Sequence, residues 1–347
     1  MKLLIITQAI DLDDPTLSVY HSWVETIAAH AEQATVLCLK KGRNTFPQNI
    51  EVVSLGKESK PSRLSYAWKF FARIWQKRNE YDAVFVHMNQ EYVLLGGWLW
   101  KLLGKRVYLW RNHYAGSLLT DIAAWFCKKV FYTSNSSYTA KFSNAVCMPV
   151  GVPLEKFIRM PAIERKARSI LSLGRISPSK NIHLLIEAFD ILKKEKVEFT
   201  ASIYGSVLPA DAEYEKKLYA RVQELGLVEY VSFFSGIAND KAPEIYNAHE
   251  IFVNVSPQGM FDKTILEAAA CECIVVTANK DAAGYLEQPL VIQSYGPAEI
   301  AKKLSHALEM DADTRTKNIK QERVFASYHS LNNLARRFVR EMNPTLA

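Results

Sequence analysis

The sequence predicts an α/β protein of two doubly wound domains facing across a cleft, each a parallel sheet covered by helices. Three observations carry this. Short apolar and β-branched runs alternate with helix-length segments along the whole chain. Many of these runs are apolar throughout rather than at every second residue, as in strands covered on both faces. The alternation pauses once, at MPVGVPLEKFIRMPAIERKAR (148–168), where three prolines and a cluster of charges interrupt it. Domain boundaries have that composition.

In the first half, strands are predicted at 2–8, 35–40, 50–56, 83–88, 107–112 and 130–134, with helices at 17–32, 62–79, 91–103 and 118–128. In the second half, strands are predicted at 169–174, 199–205, 230–235, 251–256, 274–278 and 290–293, with helices at 180–195, 211–225, 240–248, 262–271 and 297–310. The domains are expected at 1–160 and 161–327. The last helical stretch, 312–342, is too long to close one domain, so its end (about 328–347) is expected to cross back onto the first.

Composition narrows the function classes. An apolar fraction of 49% in 347 residues is that of a globular protein with full cores. The five cysteines (Cys38, Cys127, Cys147, Cys271 and Cys273) include no CxxC pair, so neither a disulfide framework nor a zinc site is expected. The opening MKLLIITQAIDLDD lacks the apolar core of a secretion signal, and the longest apolar runs, such as YVLLGGWLW (92–100), are about half a membrane span. The expectation is a cytoplasmic protein, with a peripheral seat on the inner face of the membrane kept open. Charge is uneven: residues 1–165 hold 21 Lys+Arg against 13 Asp+Glu, and residues 166–347 hold 22 against 23. The whole excess lies in the first half, but no nucleic-acid recognition motif accompanies it.

Two stretches carry chemistry. In SILSLGRISPSKNIHLLIEAFD (169–190) a predicted strand ends at Gly174, Arg175 and Lys180 follow in the loop, and a helical pattern begins. Ligands of open α/β sheets sit beyond the carboxyl ends of strands, and two cations beside a helix N-terminus suit a diphosphate. Alone, such a pair is more often a solvated basic loop. In SPQGMFDKTILEAAACECIVV (256–276) a strand ends at Ser256, a loop with Gly259 follows, and Asp262 stands where a helix N-cap belongs. Amides near Lys263 and Thr264 are candidate unpaired donors for a phosphate. Glu267 is placed to accept hydrogen bonds from a ribose diol, as acids do in dinucleotide folds.

Together these stretches resemble retaining glycosyltransferases of family four (glycosyl transferases group 1), which have the GT-B fold of two facing Rossmann-like domains. The first resembles the family's G-R-hydrophobic-x-x-x-K loop followed by L-I-x-A-F, here LLIEAF. The second resembles its E-x-F-G-x-x-x-x-E-A-x-A-C segment, here ending LEAAAC. YGS (204–206), VSFFSG (231–236), EIYNAHEIFVNVS (244–256), WRNH (110–113) and VGVPLEKF (150–157) are similar in kind and order.

The resemblance implies a glycosyltransferase that moves a hexose-type sugar from a nucleotide-diphosphate sugar to a glycan or lipid-linked acceptor, with retention and without metal. The nucleotide sugar is a co-substrate, and no cofactor is implied. Arg175 and Lys180 would grip the diphosphate, helped by amides near Lys263 and Thr264, and Glu267 would hold the ribose. His113 matches the family's active-site histidine, and His87, at another strand end, is a weaker candidate. The chain departs from the pattern at Gly259, which stands where the family's first glutamate contacts the donor sugar, and Asp262 is a candidate replacement. The first loop (8–23) lacks the family's glycine pair and resembles a subset with D-x-x-D-P. Asp11 and Asp13 form a D-x-D, a metal motif in another glycosyltransferase fold, but a polar loop is the expectation here. A sugar-nucleotide epimerase and a non-catalytic sugar-nucleotide-binding partner subunit are the rival functions.

One stretch suggests a further partner. Over 60–78, Leu64, Trp68, Phe71 and Trp75 recur at helical spacing beside Lys69, Arg73 and Lys77. Either the aromatics enter the domain core, or they face an anionic membrane surface.

Overall fold

The structure, a computed structural model, describes residues 1–14, 17, 19–59, 62–256 and 261–342. It divides into two compact units: Met1–Gly151 with Leu331–Ala347, and Val152–Ser330. Gly259 lies outside the described residues.

The first unit runs β1 (Lys2–Ile10), α1 (Val19–Ala28), β2 (Gln33–Lys41), β3 (Ile50–Ser54), α2 (Arg63–Gln76), β4 (Ala83–His87), α3 (Gln90–Leu102), β5 (Arg106–Trp110), α4 (Leu118–Phe126), β6 (Lys129–Tyr132) and β7 (Ala145–Cys147). The strands form one parallel sheet in the order β3-β2-β1-β4-β5-β6-β7. Right-handed crossovers set α1 on one face of this sheet and α2, α3 and α4 on the other. Two cores result. On one face, Trp23 and Ile27 of α1 pack with the odd-numbered side chains Leu3 and Ile5 of β1. On the other, Phe70 and Ile74 of α2 and Trp100 of α3 pack against Leu4 and Ile6.

The second unit runs β8 (Lys166–Leu173), α5 (Ile182–Lys194), β9 (Thr200–Gly205), α6 (Ala212–Glu224), β10 (Val231–Ser235), α7 (Ala242–Asn247), β11 (His249–Asn254), α8 (Lys263–Ala270), β12 (Ile274–Thr277), α9 (Lys280–Ala283), α10 (Pro297–Leu308) and α11 (Ala312–Tyr328). Its parallel sheet has the order β10-β9-β8-β11-β12. The helix α12 (Leu331–Met342) then returns to the first unit. There Phe338 packs on Phe85 at 4.5 Å between ring centres, and Arg106 and Tyr108 donate to the Met342 carbonyl at 3.1 and 3.2 Å.

Several expectations change. The single helix over 312–342 is two, parted at His329 and Ser330, where Val152 donates to the His329 carbonyl and pairs with Ser330 in a bridge. The strand expected at 290–293 is only an isolated bridge between Thr277 and Val291. Strand β7 was not expected, its three residues being too few to show a pattern.

Three of the four stripe residues on α2 face outward, while Phe71 is half-buried against the core. Leu64 is 83% exposed, Trp68 75% and Trp75 51%, while Phe70 and Ile74 meet the sheet. The helix carries apolar residues on two faces, so periodicity alone does not say which one is buried. Lys77, expected on the exposed cationic strip, is turned into ion pairs with Glu51 at 2.7 Å and Glu80 at 2.9 Å.

Candidate active site

The second unit brings the two motif stretches together. Gly174, with φ of 156°, follows β8, and the amides of Gly174 and Ile176 donate to the Tyr204 and Ser206 carbonyls at the tip of β9, each at 3.0 Å. A Cβ on Gly205 would stand 2.1 Å from the Gly174 carbonyl oxygen, so only glycine there lets the loop pass. Before α5, Asn181 adopts the left-handed conformation, which asparagine tolerates. Its side-chain amide donates to the Val255 carbonyl at 3.1 Å, tying the loop after β8 to the one after β11.

Beyond these strand ends lies a solvent-open pocket lined among others by Gly174, Arg175, Lys180, Tyr204, Asn254 and Ser256. The Lys180 ammonium donates to Ser256 Oγ at 3.0 Å and to Asp262 Oδ2 at 2.5 Å. Asn254 Nδ2 donates to the same Asp262 oxygen at 3.0 Å. The other oxygen, Oδ1, accepts from the Thr264 hydroxyl at 2.8 Å and the Thr264 amide at 3.3 Å, which caps α8. Burial would raise the Asp262 carboxyl, but the charge and hydrogen bond of Lys180, with those of Thr264 and Asn254, outweigh it and hold it below its ordinary value. The Thr264 amide, expected to be an unpaired donor, is therefore already satisfied by the cap.

Arg175 is exposed and, among the described residues, has no hydrogen-bond or ion-pair partner, so its guanidinium is available to an anion. Lys180 has three donors and spends two within the site. Glu267 is buried one turn into α8 and accepts from Tyr246 at 2.9 Å. Burial pushes its carboxyl up to about 7, against the pull of the Tyr246 hydroxyl and the nearby Lys263. Lys263 itself is lowered by burial to about 8, with Glu267 opposing.

His113 belongs to the first unit, three residues beyond β5. Its Nδ1 accepts from the Ala115 amide at 3.0 Å and its ring stacks on Tyr114. The tautomer that makes this bond carries its proton on Nε2. The turn is anchored by Asn112, whose side-chain oxygen accepts from the Thr133 and Ser134 amides at 3.1 Å and the Ser137 hydroxyl at 2.5 Å. His87 is buried, 4.3 Å from the Tyr20 ring and 5.4 Å from Trp23. Asp11 pairs with Lys40 at 3.3 Å, and Asp13 with Arg43 at 2.6 Å, so the D-x-D carboxylates are spent on neighbouring cations.

Sequence reasoning missed Tyr246, Asn254 and Ser256. The last two stand at the carboxyl end of β11, where the strand-end rule directs attention. Tyr246, which reaches Glu267 from α7, lies in the family-like stretch 244–256, but nothing singles it out within that stretch.

The two parallel-sheet units, with a polar pocket at strand ends of the second, define a GT-B glycosyltransferase fold. Anabaena Alr3699/HepE in complex with UDP superposes with a TM-score of 0.80 at 18% identity, covering 99% of this chain and 100% of that one. Sucrose-phosphate synthase from Thermosynechococcus elongatus gives 0.77 at 15% identity, covering 100% and 99%. Residues 155–324, most of the second unit, match the family model described as Glycosyl transferases group 1. Mannosylfructose-phosphate synthase of Agrobacterium fabrum (strain C58 / ATCC 33970) is 31% identical over 110 residues, 30% of this chain and 24% of that protein. Alpha-monoglucosyldiacylglycerol synthase of Streptococcus pneumoniae (strain ATCC BAA-255 / R6) is 31% identical over 151 residues, 39% of this chain and 32% of that protein. The alignments thus span a quarter to a third of these curated relatives.

Proposed function

We propose that the chain is a retaining glycosyltransferase of family four that moves a hexose-type sugar from a nucleotide-diphosphate sugar to a glycan or lipid-linked acceptor, in the cytoplasm. The observation that carries this reading is the cluster of Lys180, Asp262, Ser256 and Asn254 beyond the ends of β8 and β11, in a group 1 domain. The exposed Arg175 stands in the same loop. In the reaction, the bond from the anomeric carbon to the diphosphate oxygen breaks and its electron pair stays on that oxygen. The acceptor oxygen bonds to the anomeric carbon from the same face, and its proton passes to the departing phosphate.

Negative charge grows on the diphosphate as the bond opens. Arg175 and the remaining donor of Lys180 supply fixed positive charge there, which lowers the barrier because it needs no reorganisation at that moment. They stand in for the divalent ion that other folds use. The ribose would lie against Glu267, the sugar near Asp262, and His113 would donate from Nε2 to a sugar or acceptor oxygen. The names of the relatives point to a sugar phosphate in one case and a diacylglycerol in another.

The test has two arms. Thermal shift with UDP, GDP and ADP identifies the base, since a ligand of the folded state raises its stability by mass action. The matching nucleotide sugar and a panel of acceptors are then assayed for nucleotide release, with the anomer read by NMR. Release with a retained anomer is expected. Interconversion of donor sugars without matching release would make the protein an epimerase, and binding without turnover would make it a partner subunit.

A further inference from the structure

We infer that the layer formed by α2, α3 and α4 is a docking face for an anionic phospholipid bilayer. Each helix of this layer carries a row of large apolar side chains on its outer surface, at the three-, four- or seven-residue spacing of one helix face. On α2 the ends of the row are Leu64 and Trp75, with Trp68 between them. On α3 the row is Leu95, Trp98 and Leu102, with exposures of 37%, 53% and 78%. On α4 it is Leu118, Ile122 and Trp125, at 72%, 39% and 67%. The rows adjoin: Phe71 of α2 lies 6.3 Å from Trp98 between ring centres, and Lys101 of α3 sits 3.5 Å over the Trp125 ring of α4.

None of these rows serves the core, which is filled from the opposite helix faces by Phe70, Ile74, Trp100 and Ala124. Four of the seven tryptophans are exposed, and all four are in this layer. Scattered exposed leucines need no explanation, but a continuous apolar face across three helices marks an interaction site.

Charge selects the occupant. Lys69, Arg73 and Lys101 lie on or beside the rows and are exposed, and Arg78 stacks 4.5 Å over the Trp75 ring. α2 contains no acid at all, and the Asp121 carboxylate of α4 is paired with Lys141 at 2.9 Å. Glu91, in the first turn of α3, is the remaining acid of the layer. Indole rings settle at the boundary between acyl chains and headgroups, and long cationic side chains reach from apolar surroundings to phosphates. A second copy of this chain would set cation against cation. The face belongs wholly to the first unit, so the inference stands whether or not the second unit transfers sugar.

The experiment is co-sedimentation of the full chain with vesicles of phosphatidylcholine alone and of phosphatidylcholine mixed with phosphatidylglycerol, at low and high salt, alongside tryptophan fluorescence. Binding to the mixed vesicles is expected, with a blue shift and weakening in high salt. Lys69→Glu with Arg73→Glu should weaken it at least about tenfold. Trp68→Ser with Trp125→Ser should weaken binding and reduce the shift, since two of the four tryptophans of the face are removed. All four positions are exposed, so melting temperatures should stay at the wild-type value. Absence of binding by the wild type, or binding that neither variant weakens, overturns the inference. So does a wild-type dimer in sedimentation that the tryptophan variant dissolves, because the face would then belong to a second copy.

Discussion

The Lys180 ammonium and the Asp262 carboxylate stand 2.5 Å apart, joining the loop after β8 to the cap of α8. Each group serves two purposes at once. Lys180 holds a carboxylate that burial would otherwise drive toward its neutral form, and Asp262 fixes the cation while also capping the start of α8. Replacing either residue therefore has a structural and a chemical effect, which the following measurements separate.

Lys180→Ala and Arg175→Ala should each lower turnover about a hundredfold or more, the scale of a lost charge-stabilising group. They should differ in stability. Without Lys180 the Asp262 carboxylate keeps its bonds from Asn254 and Thr264 but loses its only paired cation among the described residues, at a cost of about 1–3 kcal/mol. Arg175 is exposed, and its loss should stay within about 0.5 kcal/mol. Urea unfolding and steady-state kinetics on the two variants decide this. Wild-type turnover in both would reduce the pair to a solvated loop.

Asp262→Asn should reduce sugar transfer much more than binding of the free nucleotide diphosphate, if this carboxylate takes the place of the glutamate absent at Gly259. A parallel loss of both with a lower melting point would confine Asp262 to capping, a role that contributes about 1 kcal/mol.

Glu267 gives a pH signature. Its folded value of about 7 lies above the ordinary 4.5, so the folded state holds the proton more tightly. That contribution to stability is complete below about 4.5 and is lost as pH rises to about 7. Relative to Glu267→Gln, the wild type should lose up to about 3 kcal/mol across this window and nothing further above it. Nucleotide binding should run the other way. An ionised Glu267 accepts both ribose hydroxyls, so wild-type affinity should strengthen as pH passes 7, whereas the Gln variant should stay flat. Calorimetric titration at several pH values checks it, and a flat wild-type profile would remove the ribose role.

Gly205→Ala tests the loop geometry from outside the ligand shell. The added methyl would meet the Gly174 carbonyl and Ile176, forcing the Arg175 loop away from the strand ends. Overpacking of this kind costs about 1–3 kcal/mol, and nucleotide affinity should fall at least about tenfold while Glu267 keeps its contacts. Unchanged affinity would mean the loop moves freely and Arg175 does not depend on its seat.

The sequence made the alternation of strands and helices legible because both sheets are parallel and buried on two sides, so their strands stand out as apolar runs. It also made Gly174, Arg175, Lys180, Asp262 and Glu267 legible, since each lies next to a strand end or a helix start. What it hid depends on the third dimension. That Lys180 spends itself on Asp262 requires two loops 82 residues apart to meet. The outward turn of Trp68 was hidden because Phe70 and Ile74 offer the same helix a second apolar face. The break at His329 lies in a stretch whose helical pattern continues on both sides.

The placement of α12 has a consequence for biosynthesis. The second unit is continuous in sequence, but the first is finished only when residues 331–342 arrive to seat Phe338 on Phe85 and to accept from Arg106 and Tyr108 at Met342. On the ribosome the later-made half can therefore mature while the earlier-made half still waits, exposing the side of its sheet that holds Trp23. A fragment cut after Gly151 would lack that cover, and any expression strategy for the first unit alone has to supply the closing helix in trans or graft it onto the fragment.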